Sequence, residues 1–292
     1  MFSQNEGLEE ARARNIEDAL REDLGRADAT AMLVPDEPAQ AVLIVREEAV
    51  LCGTSWFEGC LKRLDPAARI DWHFRDGDLM PAQSQVCEIH ARARALLSAE
   101  RPALNFLQTL SATASLTHEY AQAIAGASPN PRGCAVLDTR KTLPGLRQAQ
   151  KYAVRVGGGQ NQRMALWDGV LIKENHIAAA GGIAQALQAA RELHPNLPIQ
   201  VEVESLEELS QALSCGATNV LLDNFSLSQL EQAVRFAAGF AAQHQGVPAC
   251  LEASGNVTLQ TVAQVARTGV DRISIGALTK DLKAVDYSLR VS

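Results

Sequence analysis

Much is missing from this 292-residue chain, and each absence removes a class of function. Its six cysteines, Cys52, Cys60, Cys87, Cys134, Cys215 and Cys250, form no CxxC pair and keep no metal-ligand spacing with histidine. A zinc site is therefore not expected, and all six read as reduced, structural thiols. No apolar run approaches the ~20 residues that cross a bilayer. The first residues, MFSQNEGLEEARARN, lack the apolar core of a secretory signal, so the sequence predicts a cytoplasmic protein. A broad basic face is also lacking: the formal charge is −7, which argues against nucleic acid. Neither GxGxxG nor P-loop spacing occurs, and Gly157-Gly158-Gly159 alone reads as a flexible turn.

What is present is a local reversal of sign. From Pro131 to Asn175 stand Arg132, Arg140, Lys141, Arg147, Lys151, Arg155, Arg163 and Lys173, against Asp138, Asp168 and Glu174. That segment carries +5 and the remainder −12. Concentrated this way, positive charge points to a site for a small, strongly anionic ligand.

Periodicity divides the chain in two. Residues 8–22 space apolar positions as an amphipathic helix, 41–53 read as strand, turn and strand, and 54–65 as a helix. Residues 68–74 and 85–98 alternate, so the first third mixes helices with half-buried strands. A long helical stretch follows from Glu100, where Pro102 is acceptable only in the first turn. The domain boundary falls within or beside it. Beyond it, apolar runs at 134–138, 169–173, 199–203, 218–222, 248–252 and 271–275 alternate with helical segments at 145–156, 182–193, 205–214, 227–241 and 258–268. Ser205 and Glu208 form a capping-box pattern, and Gly216 and Gly269 follow helix ends. Such βα repetition predicts an α/β fold: a parallel barrel or partly open barrel.

In such barrels chemistry gathers at the carboxyl ends of the strands. Those ends carry Asp138-Thr139-Arg140-Lys141, Lys173, Glu202 with Glu204, Asp223-Asn224, Glu252 with Ser254-Gly255-Asn256, and Ser274-Ile275-Gly276. Arginine forks suit carboxylates and phosphates, and Ser-Gly-Asn offers backbone N–H groups. Glu202 and Asp223 could hold Mg2+ directly or through water. Plainer readings stay open: Glu202 and Glu252 as interior charges paired with Lys173, Asp223-Asn224 as a helix cap, and His176 as a satisfied core or loop histidine.

DTRKTLPGLR, KYAVRVGGGQNQR, LIKENH, ERPALNFLQ, LLDNF, EASGN and DRISIGALTK, taken in order, resemble the quinolinate phosphoribosyltransferase family. The resemblance implies an N-terminal α/β sandwich domain (1–112, joined by 281–292) and an open, incomplete TIM-like α/β barrel (113–280). It implies a homodimer or higher homo-oligomer in which Arg101 crosses into the neighbouring site. By position, Arg140, Arg163 and Lys173 would hold the quinolinate carboxylates, with Thr139 and Gln162 beside them. Lys141, Glu202, Asp223, Ser254, Gly255, Asn256, Ser274, Ile275 and Gly276 would match the phosphoribosyl pyrophosphate and Mg2+ positions. Lys141, Lys173, Glu202 and Asp223 would be the catalytic set, with Mg2+ the cofactor. The implied reaction joins the pyridine nitrogen to ribose, expels pyrophosphate and loses CO2, a step of NAD biosynthesis.

Three positions depart from the family pattern. Gln162 replaces the usual histidine and cannot become cationic. Ala165 replaces a glycine, and Thr279-Lys280 replaces Thr-His. Other readings are a related phosphoribosyltransferase for another aromatic carboxylate, a binding paralogue with impaired turnover, and a Schiff-base aldolase on Lys173. The last gives the arginines no role.

Overall fold

The computed structural model describes residues 5–291. The chain opens with α1 (Leu8–Leu24), β1 (Pro38–Val45), β2 (Ala49–Val50), α2 (Thr54–Leu64), β3 (Arg69–Trp72), β4 (Leu79–Met80), β5 (Gln85–Arg92) and α3 (Ala93–Ile124). Then come β6 (Ala135–Leu137), α4 (Arg147–Val156), β7 (Val170–Ile172), α5 (Glu174–Ala180), α6 (Ile183–Leu193) and β8 (Ile199–Val203). The order continues with α7 (Leu206–Ser214), β9 (Asn219–Asp223), α8 (Leu227–Gln243), β10 (Cys250–Ser254), α9 (Val262–Arg267), β11 (Arg272–Ser274), α10 (Ala277–Lys280) and β12 (Tyr287–Val291). No helix among the described residues is long and apolar enough to cross a membrane.

The chain forms two compact units. One comprises Met1–His118, Thr142–Gly158 and Leu278–Ser292, the other Glu119–Lys141 and Gly159–Ala277. The division falls inside α3. Residues 142–158 pack with the first unit, although a boundary after residue 112 assigns them to the second. Side chains of α1 explain this: Arg14 and Asn15 both donate to the Gly145 carbonyl, at 3.2 and 3.0 Å.

In the first unit an antiparallel sheet of order β12-β1-β5-β3 is joined by the short pair β2-β4. Alternation along β1 and β5 sends Leu43, Val45 and Ile89 inward, against fully buried Trp56, Phe57, Leu107 and Leu110. Burying each such side chain contributes about 1.5–3 kcal/mol. Pro102 lies in the interior of α3, not in a first turn, because the helix starts at Ala93 directly out of β5. It forgoes one helical hydrogen bond, a penalty of about 3 kcal/mol or more, against the burial of Leu96, Leu104, Leu107 and Leu110 along the same helix. The cysteines are free thiols. Burial pushes Cys60 and Cys134 up to about 12, so neither is a ready nucleophile.

Six parallel strands make the second unit, in the order β6-β11-β10-β9-β8-β7. This is a sequential barrel ring left open between its first two strands. One rung, Leu137 to Gln160, is all that extends β6 toward that gap among the described residues. Val201, Val203, Val220 and Leu222 are buried beneath helices that present Leu187, Leu209, Ala212 and Ala233. Ser205 caps α7 as its capping box predicts, accepting from Glu208 N at 3.1 Å, but the Glu208 carboxylate returns to Glu204 N at 2.8 Å.

The GGG run opens with the turn at Gly157-Gly158 that the sequence suggests, and its first glycine is also a packing device. A methyl on Gly157 would stand 2.3 Å from the Ala114 carbonyl oxygen, so glycine lets α4 close on α3. Gly157→Ala should therefore destabilise by about 1–3 kcal/mol. Gly239→Ala, inside α8 with nothing within 4 Å of the added carbon, should stabilise by about 0.5–1 kcal/mol. Denaturant unfolding of the two variants checks both signs.

Candidate active site

Register alone gathers the polar side chains of the second unit. Glu202 pairs with Leu221, Leu221 with Glu252, and Glu252 with Arg272, so these four share one rung. A rung higher, Asp223 pairs with Ser254, and Ser274 pairs with Leu137. Because side chains alternate, Gln200 and Glu202 share the face opposite Val201 and Val203. The sheet thus turns an apolar face to its helices and a polar one inward.

Lys173 follows β7, and its ammonium donates to both oxygens of Glu202, at 3.0 and 2.8 Å. The carboxylate is 9% exposed and the lysine 43%, so the pair reaches from the interior to the opening. Of the plainer readings, the Lys173–Glu202 pair is present, whereas Glu252 bonds elsewhere. His176 is a cap: its Nδ1 accepts from Lys173 N at 3.1 Å.

The next strand ends lock together. Asn224 N donates to Ser254 O at 2.9 Å, and Asn224 Nδ2 to Asp223 Oδ2 at 2.8 Å. Gly255 has φ +110°, and a β-carbon there would lie 2.2 Å from Asn224 Oδ1. Asn256 also has positive φ, so Ser254-Gly255-Asn256 makes a tight turn at the end of β10. Ile275 N bonds Leu137 O at 2.9 Å, fixing Ser274-Ile275-Gly276 beside β6. Thr139 Oγ1 accepts from Lys141 N at 3.0 Å, and Lys141 is exposed. Arg101 lies on α3 in the first unit, its side chain 62% exposed and 3.7 Å from Glu100.

Arg163 carries the plainest electrostatic signature. Burial pushes its guanidinium below the usual arginine range, the neighbouring Arg140 pushes the same way, and Asp168 and Glu202 oppose. Two guanidiniums near enough to repel, one partly desolvated, are an arrangement that an anion between them would relieve. Arg163 NH1 donates to Gly169 O at 3.1 Å. The two residues before it are held by Asp138, which has no exposed surface and accepts from Gln162 N at 3.0 Å and Asn161 Nδ2 at 2.5 Å.

The departures resolve individually. Ala165 is not among the positive-φ residues, and its N–H donates to Asp168 Oδ1 at 2.8 Å, so a methyl is tolerated. Lys280 pairs with Asp281 at 2.8 Å. Gln162, expected beside the substrate, turns its side chain inward: Nε2 donates to Gln200 Oε1 at 2.7 Å, and Oε1 accepts from Arg163 N at 2.5 Å. Gln200 in turn donates to Glu252 Oε2 at 2.9 Å. Burial raises the Glu252 carboxyl, and the bond from Gln200 opposes that. Sequence reasoning missed Gln200 altogether; its only signal was a glutamine where an apolar run should be uninterrupted. A cavity of about 410 Å3 opens toward the amino-terminal ends of these strands, with Arg163, Gly169, Pro198, Gln200, Asn219 and Arg272 in its walls.

Residues 28–111 match the N-terminal domain of quinolinate phosphoribosyl transferase, and residues 113–290 match its C-terminal domain. The chain belongs to the quinolinate phosphoribosyltransferase family. It is 37% identical to the chloroplastic carboxylating nicotinate-nucleotide pyrophosphorylase of Oryza sativa subsp. japonica, over 94% of this chain and 76% of that protein. It is 35% identical to the probable carboxylating nicotinate-nucleotide pyrophosphorylase of Bacillus subtilis, over 93% of this chain and 90% of that one. The solved nicotinate-nucleotide pyrophosphorylase of Francisella tularensis superposes with a TM-score of 0.90 at 41% identity, covering 99% of this chain and 100% of that one. A parallel six-strand sheet with an N-terminal antiparallel sheet unit is thus the fold of this quinolinate phosphoribosyltransferase family member.

Restoring the histidine of the family pattern tests the Gln162 geometry. Neutral imidazole can donate to Gln200 and accept from Arg163 N, but imidazolium cannot accept. Gln162→His should match the unmodified protein at pH 8 and lose carboxylate affinity as pH falls through about 6.5. A pH series of the Michaelis constant, run on both proteins, reads this; parallel curves would contradict it.

Proposed function

We propose that this chain transfers the phosphoribosyl group of 5-phosphoribosyl 1-pyrophosphate to quinolinate, yielding nicotinate mononucleotide, pyrophosphate and CO2. The observation that carries this is that Arg140, Arg163 and the Lys173–Glu202 pair lie within electrostatic reach of one another on the inner side of one sheet. A dianionic pyridine acid fits two guanidinium forks and an ammonium, and the same opening leaves Asp223 and the Ser254-Gly255-Asn256 turn for a sugar phosphate.

Each group then has a task. Arg140, Arg163 and Lys173 neutralise the two carboxylates and aim the ring nitrogen at the anomeric carbon. The C–N bond forms as the bond to pyrophosphate breaks, and charge builds positively on the sugar. Glu202 and Asp223 stabilise that charge, while Lys141 and the backbone N–H groups near Ser254 and Gly276 receive phosphate oxygens. Alkylated, the ring nitrogen is cationic and stabilises the electron pair left on C2 when the 2-carboxylate departs as CO2, and a proton taken up from water at C2 completes nicotinate mononucleotide.

Among the described residues no three His, Cys, Asp or Glu side chains gather into a metal cage. Two carboxylates at one opening nonetheless suit Mg2+, which retains waters and takes phosphate oxygens. Asp223 and Glu202, directly or through water, would hold it, and its charge would offset that of the leaving pyrophosphate. The site is completed in a homodimer, with Arg101 contributed by the neighbouring subunit. Its exposure and its loose pairing with Glu100 support that role.

Arg163→Ala should weaken quinolinate by about 2–5 kcal/mol and leave phosphoribosyl pyrophosphate within twofold, measured as separate Michaelis constants. Equal losses would contradict the division of roles. Shared sites make a second prediction. Arg101→Ala and Lys173→Ala, each inactive alone, should recover roughly a quarter of full activity when mixed and re-associated, because half the dimers are hybrids with one intact site. No recovery would exclude Arg101 from a shared site.

A further inference from the structure

Behind the arginines runs a chain of hydrogen bonds that the chemistry above does not use. It starts at Glu252, 1% exposed, and passes through Gln200 and Gln162 to the backbone N–H of Arg163. Amide side chains can present either end, so such a chain needs something to fix its direction. Here both termini fix it. The Glu252 oxygen is an acceptor and demands the nitrogen of Gln200; the Arg163 N–H is a donor and demands the oxygen of Gln162. Reversing the two amides would set oxygen against carboxyl oxygen at one end and NH2 against N–H at the other. Only one arrangement satisfies every member.

The last link matters because Arg163 is not at ease where it stands. Burial and Arg140 both disfavour its charge there. An arginine under such pressure, on a loose backbone, would swing toward water and have to be ordered again by each incoming anion. Asp138 holds residue 162 from one side, and the amide chain holds residue 163 from the other. The neighbouring loop is folded on Asp168 through Met164 N at 2.6 Å.

We infer that Gln200 and Glu252 are positioning residues for the pyridine acid, acting through Gln162 to fix the backbone from which the Arg163 guanidinium projects. The inference rests on the reading of this site as a quinolinate site and adds two residues to it, neither at the opening. Glu252 serves as an acceptor, not as a charge. Its Oε1 makes no hydrogen bond with the described residues, so an amide nitrogen can take that place while the other oxygen still receives Gln200.

The test is steady-state kinetics on the full-length protein with both substrates, and Gln200→Leu, Glu252→Leu and Glu252→Gln as variants. Gln200→Leu and Glu252→Leu should each raise the quinolinate KM about tenfold or more. The KM for phosphoribosyl pyrophosphate should stay within twofold. Glu252→Gln should restore near-normal quinolinate affinity, which loss of packing alone would not predict. If Gln200→Leu does not fold, the contrast between the two Glu252 variants makes the same distinction. An unchanged quinolinate KM, equal rises for both substrates, or a glutamine variant as impaired as the leucine one each overturns the inference. Failure of the unmodified protein to turn over quinolinate would instead sink the substrate reading, and this inference with it.

Discussion

One ammonium between two carboxylate oxygens sets the terms for this molecule. Lys173 and Glu202 come from neighbouring strands of a parallel sheet and meet where the inner face opens. An interior glutamate is costly without a partner, and an unpaired lysine at an opening would be mobile. Each holds the other, and a charged surface becomes possible inside a fold whose strands turn Val, Leu and Ile toward the helices. Arg140 and Arg163 depend on it as well, since Glu202 is among the charges that moderate their repulsion.

From that pair the polar interior extends in layers. On its own rung stand Glu252 and Arg272, one rung higher Asp223 and Ser254, and just behind lie the Gln200 and Gln162 amides. Outside the sheet the helices bury Leu, Val and Ala. Stability therefore comes from the outer face and chemistry from the inner one, with a two-residue period as the switch between them. This separation is what lets a site dense in charge exist without eroding the core.

Much of this was legible in the residues. All six strands of the second unit lie within two residues of the runs marked by their apolar character, because a doubly buried parallel strand has few other ways to be written. The polar strand ends were equally visible, and motif order pointed to the family. What stayed hidden depends on contacts between residues far apart in sequence. Nothing local to Pro102 says that a helix has begun nine residues earlier. The role of Gly157 needs the Ala114 carbonyl, and Gln200 reads as a lapse in an apolar run until Gln162 and Glu252 stand on either side of it. Gln162 shows the opposite limit: matched to a substrate position, it spends its side chain on its neighbours.

The central claim is that these cations hold a pyridine dicarboxylate while its nitrogen meets an activated pentose. Product stoichiometry tests it most directly. Incubated with phosphoribosyl pyrophosphate, Mg2+ and carboxyl-labelled quinolinate, the protein should release one CO2 for each pyrophosphate, and nicotinate in place of quinolinate should yield neither. Pyrophosphate without CO2, or equal turnover of nicotinate, would contradict the account.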